Sequence, residues 1–242
     1  MNALLQRAQA TRVEVPPNRL RRALLSGNAV NIIAEFKRAS PSKGVINDRA
    51  DPAAVARSYE AGGACAVSVL TETDFFRGSL DDLRCVRRAV SLPILRKDFI
   101  IDELQIFEAA EAGADAVLLI VAALKAEESA RLQTVAHELG LDALVEVHTL
   151  AELEIAKDIG ATLIGVNNRD LKSFEVSLDV SRELIAHAPA NVPMIAESGL
   201  TSRDDLIELE QLGYSGFLIG EALMQSGDAA SSLRGLVGRS AS

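Results

Sequence analysis

The sequence predicts a (β/α)8 TIM barrel with a short N-terminal helical extension. Three observations carry that prediction. Eight short apolar runs alternate with longer amphipathic segments. The runs are nearly continuous in Val, Ile, Leu and Ala, the pattern of parallel strands covered on both faces. Glycines recur about every 50 residues ahead of alternate runs, the length of two βα units in a fold of eight. A chain of 242 residues suits one such unit. Residues 1–242 are therefore expected to form a single domain. Strict alternation without an obvious linker favours a closed barrel over an open doubly wound sheet.

Taken in order, residues 1–30 hold Arg7, Arg12, Pro16-Pro17 and a helical patch at 20–25, and read as an extension covering part of the barrel. The apolar runs follow at 31–36, 64–70, 93–96, 114–120, 143–147, 162–166, 193–196 and 216–219. Helix starts between them are recognisable. Asp51-Pro52 pairs an N-cap residue with proline at the first helical position. Thr149 with Glu152, and Thr201 with Asp204, have capping-box spacing. Leu206, Leu209 and Leu212 form an apolar stripe at helical spacing. Gly63, Gly113, Gly160 and Gly213 stand where helix C-caps need positive φ.

Composition excludes several classes. Apolar residues make up 48% and charged residues 24%, enough for a filled core and too ordered a mix for a disordered chain. The net charge of −9 argues against a nucleic-acid footprint. Cys65 and Cys85 make neither a disulfide framework nor a zinc site and read as plain thiols. Gln6, Arg7 and Arg12 interrupt any signal-peptide core, and no run approaches the ~20 apolar residues of a membrane span. A cytoplasmic protein is expected.

The charges fall at the ends of the runs. Glu35 and Lys37 follow the first, Lys97 and Asp98 the third. Glu146 lies inside the fifth. Asn167, Asn168, Arg169 and Asp170 follow the sixth, Glu197, Ser198 and Gly199 the seventh, and Gly220 and Glu221 the eighth. Singly, each has a bland reading: Glu146 as an interior ion-pair partner, Lys37 and Lys97 as rim lysines, the asparagines as turn residues. Together they converge on the C-terminal mouth, the catalytic face of this architecture, where buried charge is either paired or used. After the last two runs, glycines lead into helices, an arrangement that lets backbone N–H groups converge on an anion. The basic first loop, residues 37–44, either is a solvated surface loop or closes over an anionic substrate. The three histidines lack metal-ligand spacing, and no Walker or dinucleotide-binding glycine motif is present. The chemistry is expected to run on lysine, glutamate and hydrogen bonds, with no metal and no cofactor.

Five segments resemble the motifs of the indole-3-glycerol-phosphate synthases of tryptophan biosynthesis, an aromatic amino acid pathway. They are Glu35-Phe36-Lys37-Arg38-Ala39-Ser40-Pro41-Ser42-Lys43-Gly44, Leu95-Arg96-Lys97-Asp98-Phe99-Ile100-Ile101-Asp102, Val145-Glu146-Val147-His148, Ile164-Gly165-Val166-Asn167-Asn168-Arg169-Asp170-Leu171 and Ala196-Glu197-Ser198-Gly199-Leu200. They occur in order at five strand ends. The resemblance implies a carboxy-lyase that converts 1-(2-carboxyphenylamino)-1-deoxyribulose 5-phosphate to indole-3-glycerol phosphate with loss of CO2 and water. It implies Lys97, with a lowered pKa, as general acid and Glu146 as base, with Lys37 and Glu35 as a second acid/carboxylate pair. Asn167, Arg169, Ser40 and Glu197 would bind substrate, and Phe76, Phe99 and Leu118 would wall its ring. Ser198, Gly199, Gly220 and Glu221 would hold the phosphate, Glu221 through its backbone with the side chain turned away. The family's N-terminal extension is usually longer and often lays an aromatic over the substrate, whereas residues 1–30 here contain no Trp, Tyr or Phe. Two other readings stand beside this one. A phosphoribosylanthranilate isomerase-like barrel would need a Cys/Asp pair at the strand ends, where neither Cys65 nor Cys85 falls. A non-catalytic phosphate-ligand binder would have no need of a proton donor.

Overall fold

Each apolar run forms a strand: β1 (Ile32–Phe36), β2 (Ala66–Leu70), β3 (Ile94–Lys97), β4 (Ala116–Ile120), β5 (Asp142–Val147), β6 (Ile164–Asn167), β7 (Met194–Glu197) and β8 (Gly216–Ile219). All pair in parallel and the sheet closes on itself, β1 lying between β2 and β8. The computed structural model describes residues 2–26 and 30–238. Residues 1 and 27–29 of the expected extension, and residues 239–242 of the expected domain, lie outside the described residues.

The helices are α1 (Asn2–Arg12), α2 (Arg19–Ser26), α3 (Pro52–Gly62), α4 (Leu80–Ala89), α5 (Glu103–Ala112), α6 (Ala126–Glu138), α7 (Leu150–Asp158), α8 (Asp179–Ile185), α9 (Arg203–Leu212), α10 (Glu221–Gln225) and α11 (Ala229–Val237). Asp51 caps α3 by accepting from the Ala53 N–H at 3.0 Å, with Pro52 in the first turn. Gly63, Gly113 and Gly213 end their helices in left-handed conformation, with φ of 93°, 91° and 119°.

Three local expectations are corrected. The cap of α9 is Ser202 with Asp205, one residue later than Thr201 with Asp204: Ser202 is extended and its hydroxyl accepts from the Asp205 N–H. Thr149 does cap α7, but the box is not reciprocal. The Glu152 carboxylate is held by the His148 N–H at 2.7 Å. Of the leucine stripe on α9, Leu206 and Leu209 are buried, whereas Leu212 ends the helix half exposed.

Two apolar layers follow from the two-residue pleat. Outward residues such as Ile32, Val67, Val117 and Val145 pack under the helices. Inward residues Ile33, Ala66, Leu95, Ala116, Leu118, Leu144, Leu163, Ile195 and Leu218 fill the barrel. Leu20 and Leu24 of α2 join this interior set and plug its lower end. Each contributes about 2 kcal/mol of burial. Gly216 permits the plug, because a Cβ there would stand 2.5 Å from Leu24 Cδ2. Asp142 fixes the plug by accepting the Leu20 and Arg21 N–H groups at 3.0 and 3.1 Å. Arg12 and Arg19 bind the buried Asp115 from above it in sequence, and Arg87 binds it from α4. The extension thus covers the barrel at the end opposite the charged mouth.

Candidate active site

The mouth is built by the same pleat. Residues two beyond an inward apolar residue also face inward, and at the C-terminal ends these are the polar ones. Ile33 leads to Glu35, Leu95 to Lys97, Leu144 to Glu146, Ile195 to Glu197, and Leu163 by way of Gly165 to Asn167. On β4 the series stays apolar through Leu118 and Ile120, which floor one side. The result is a cavity of about 550 Å³, of a size that takes a small organic ligand. Glu35, Lys37, Ser40, Phe76, Lys97, Phe99, Leu118, Glu146, Asn167, Arg169, Glu197, Ser198, Gly199, Gly220 and Glu221 all line it. Its lining begins at Glu35, so residues 2–26 take no part.

Lys97 stands at the centre. Its Nζ is 3.1 Å from Glu146 Oε2 and 3.3 Å from Glu197 Oε2. Lys37 Nζ is 2.8 Å from Glu35 Oε1. Glu35, Glu146 and Glu197 are all buried. Two strand glycines make this crowding possible: a Cβ on Gly165 would collide with the Glu197 carboxylate, and one on Gly220 would stand 2.9 Å from Glu35 Cβ.

The protonation pattern corrects the expected lowered pKa of Lys97. Burial pushes the ammonium down, but Glu146, Glu197 and Glu35 together outweigh it, and the Lys97 pKa is raised. Burial works against the Glu146 carboxylate too, yet Lys97 and His148 hold it below its usual range. Glu197 goes the other way. Burial, with Glu146 and Glu35 adding repulsion, overcomes Lys97 and lifts its carboxyl to about 8. Three carboxylates around two lysines leave one that keeps its proton near neutrality.

The asparagines divide. Asn167 faces the cavity while its Oδ1 accepts the Arg169 N–H. Asn168 is a staple: its amide donates to the Glu197 and Ser198 carbonyls, and its Oδ1 accepts from the Ser181 N–H and hydroxyl. The staple holds Ser198 at φ 67° and Gly199 at φ 77°. Successive left-handed residues curl the backbone toward the cavity at the end where Gly220 and Glu221 also line it.

Glu221 departs from expectation. Its carboxylate does not turn away; Oε1 is 3.5 Å from Lys43 Nζ and Oε2 is 4.0 Å from Arg169 Nη2. Those two cations neutralise it. Opposite, Glu72 accepts the N–H groups of Asp74, Phe75 and Phe76 and so shapes the turn that presents Phe76 to the cavity. Phe75 and Phe174 also line it, aromatic surface that the extension does not provide. Asp98 is turned to Arg96 and Thr71.

Two further positions shape the site and are not singled out by the sequence: His148, whose ring lies against Glu146, and Gly165. Glycine inside an apolar strand was the available sign for Gly165. Cys65 precedes β2 at the lower end, its thiol pushed up to about 12 by burial, and Cys85 lies on α4, so neither reaches the mouth.

A closed parallel barrel with lysine–carboxylate pairs at its C-terminal mouth is the architecture of an acid–base enzyme acting on a small molecule. Known proteins give the particular kind. The family model for indole-3-glycerol phosphate synthase matches residues 2–236. An indole-3-glycerol phosphate synthase of Carboxydothermus hydrogenoformans is 50% identical over 228 residues, covering 91% of this chain and 85% of that one. One of Zymomonas mobilis subsp. pomaceae is 46% identical over 231 residues, covering 94% and 88%. The chain belongs to the indole-3-glycerol phosphate synthase family. Among solved structures, 3-hexulose-6-phosphate synthase of Salmonella typhimurium superposes with TM-score 0.67 at 13% identity, covering 86% of this chain and 97% of that one. At that identity the likeness shows the barrel alone.

Proposed function

We propose that the chain catalyses the reaction of its family, forming indole-3-glycerol phosphate from the carboxyphenylamino-deoxyribulose phosphate, through the residues clustered around Lys97. The observation that carries this reading is the central ammonium between two buried carboxylates, set in a cavity with apolar walls on one side and a basic rim on the other.

Phe76, Phe99 and Leu118 wall the anilino ring. The curled backbone at Ser198-Gly199 and Gly220-Glu221 takes the phosphate, with Ser40 on the loop above. Asn167 and Arg169 orient the chain between them. The ring carbon bearing the carboxylate then attacks the ribulose carbonyl. A carbon–carbon bond forms, the carbonyl oxygen becomes an alkoxide, and the ring nitrogen becomes a cationic imine. Lys97 hydrogen-bonds that oxygen and gives up its proton as the alkoxide forms. Its raised basicity keeps it charged until then and suits it to a strongly basic acceptor. Loss of CO2 delivers its electron pair to the imine and restores the benzene ring. The Glu197 carboxyl donates the proton with which that hydroxyl leaves as water, and Glu146 removes a proton from the carbon that was ribulose C1, completing the indole. Glu197, protonated near neutrality, offers the substrate a neutral donor beside Lys97. Lys37, held by Glu35, adds positive charge where the oxyanion develops. The barrel with its extension acts as one domain, because Asp115 and Asp142 tie α1 and α2 to its base.

The test is to add the aryl-ribulose phosphate and follow indole fluorescence. A rise at catalytic enzyme concentration is expected. No rise, with the compound bound and unchanged, would refute the assignment, and an isomerase would give a product without indole emission.

A further inference from the structure

His148 follows β5 by one residue and is not among the groups the family reaction obviously needs. Its backbone N–H donates to Glu152 Oε2 at 2.7 Å, and its ring Nδ1 lies 3.1 Å from the same oxygen. Its Nε2 lies 3.5 Å from Glu146 Oε1 and is a buried atom without a hydrogen-bond partner. Both ring nitrogens therefore face carboxylates. A neutral imidazole has one N–H and one lone pair, so either tautomer would set a lone pair against a negative oxygen. Only the imidazolium can donate to both.

The surroundings agree. The charged groups bearing on the ring are Glu152 from α7, Glu146 from β5 itself and Glu197 from β7. Beyond Glu146 stands Lys97 of β3. The 121–123 turn that packs on this corner is apolar, and β6 presents the neutral Asn167. An imidazolium at 148 is placed against the oxygen of Glu146 that Lys97 does not bind.

We propose that His148 is a positioning residue: clamped by Glu152, it holds the Glu146 carboxylate ionised and oriented, with one oxygen on Lys97 and the other on the imidazolium. The proposal rests on the assignment of Glu146 as base. Burial lowers the histidine's pKa, but Glu152, Glu146 and Glu197 more than offset it and the net shift is upward. The arrangement is therefore lost as pH rises through the raised histidine value.

Two measurements on the full chain test it. The protein has three histidines, and His137 and His187 are exposed. Imidazole 15N NMR should show both His148 ring nitrogens still protonated above the ordinary histidine value of about 6.5. Glu152→Gln and Glu146→Gln should each move the His148 titration to lower pH. In turnover, His148→Phe should lower kcat roughly tenfold or more with KM changed less than about threefold, and should shift the alkaline limb of the kcat profile. His148→Gln, which restores a donor that does not titrate, should recover part of kcat while keeping the shifted alkaline limb. A His148 that titrates at or below about 6.5, or that ignores the Glu146 substitution, would overturn the proposal. So would unchanged kcat and pH profile in His148→Phe. If the chain made no indole at all, the function would fall, while the NMR titrations would still decide the pairing.

Discussion

At the base of the barrel one carboxylate, Asp115, is shared by Arg12, Arg19 and Arg87 and also accepts the Ile94 N–H. At the mouth one ammonium, Lys97, is shared by Glu146 and Glu197 with Glu35 near. In both clusters one largely buried charged group is shared by several partners. They differ in completion. Each Asp115 oxygen is met by donors fixed in the fold. At the mouth, Glu197 Oε1 has no hydrogen-bond partner, and Glu197 lines a cavity with room for a ligand. Saturation of Asp115 stabilises the base, and the incomplete pairing of Glu197 leaves it free to act at the mouth.

That contrast breaks most readily at the base. Asp115→Ala leaves three guanidinium groups without their shared anion, one of them, Arg12, buried. We expect a loss of roughly 3–5 kcal/mol, a Tm lower by about 10 °C, and unchanged kcat per folded molecule; denaturant melts with active-site titration check this. The mouth should respond in the opposite sense. Glu197 has a raised carboxyl pKa in the folded state, so its stabilising contribution is full below the ordinary carboxylate value and is lost as pH climbs toward about 8. Glu197→Gln should flatten the fall of Tm across that window and raise Tm at pH 8 by roughly 2–4 °C, while turnover drops. Scanning calorimetry from pH 4 to 9 reads the slope, and a wild-type Tm that does not fall between those values would be the contrary result. The smallest effect is expected at Glu221. Removing its charge with Glu221→Gln frees Lys43 and Arg169 for the phosphate. KM should fall by about two- to fivefold, on the order of 0.5–1 kcal/mol, as for partly exposed pairs. A raised KM would mean that the carboxylate helps to order the loop.

The same two ends show what the sequence disclosed. All eight strands were legible because they are continuous in branched apolar residues, and the mouth was legible because lysine and glutamate there interrupt apolar runs. Strand ends slid by a residue at Lys97, Asn167 and Glu197, since a charged side chain reads as loop until it is known to point into a cavity. The place of α2 was not legible. Its amphipathic pattern says that one face is buried but not which end of the barrel receives it, and only Gly216 and Asp142 complete the fit. The sign of the Lys97 shift was out of reach for a related reason. It depends on Glu146 and Glu197, distant in sequence, both arriving within 3.3 Å. His148 lacks metal-ligand spacing; its meaning lies in the carboxylate one pleat before it and another one helical turn after it. A phosphate alone would turn the Glu221 side chain away; the two cations that hold it inward come from the first and sixth loops.

The claim that the reaction is driven from Lys97 is tested most directly by single-turnover fluorescence with Lys97→Met at saturating aryl-ribulose phosphate. The substitution keeps the stem and removes the ammonium between two buried carboxylates. The account predicts that the substrate still binds within about tenfold of wild-type affinity, and that indole emission appears on the order of 1,000-fold more slowly or not at all. Indole formed at a near-wild-type rate would contradict it.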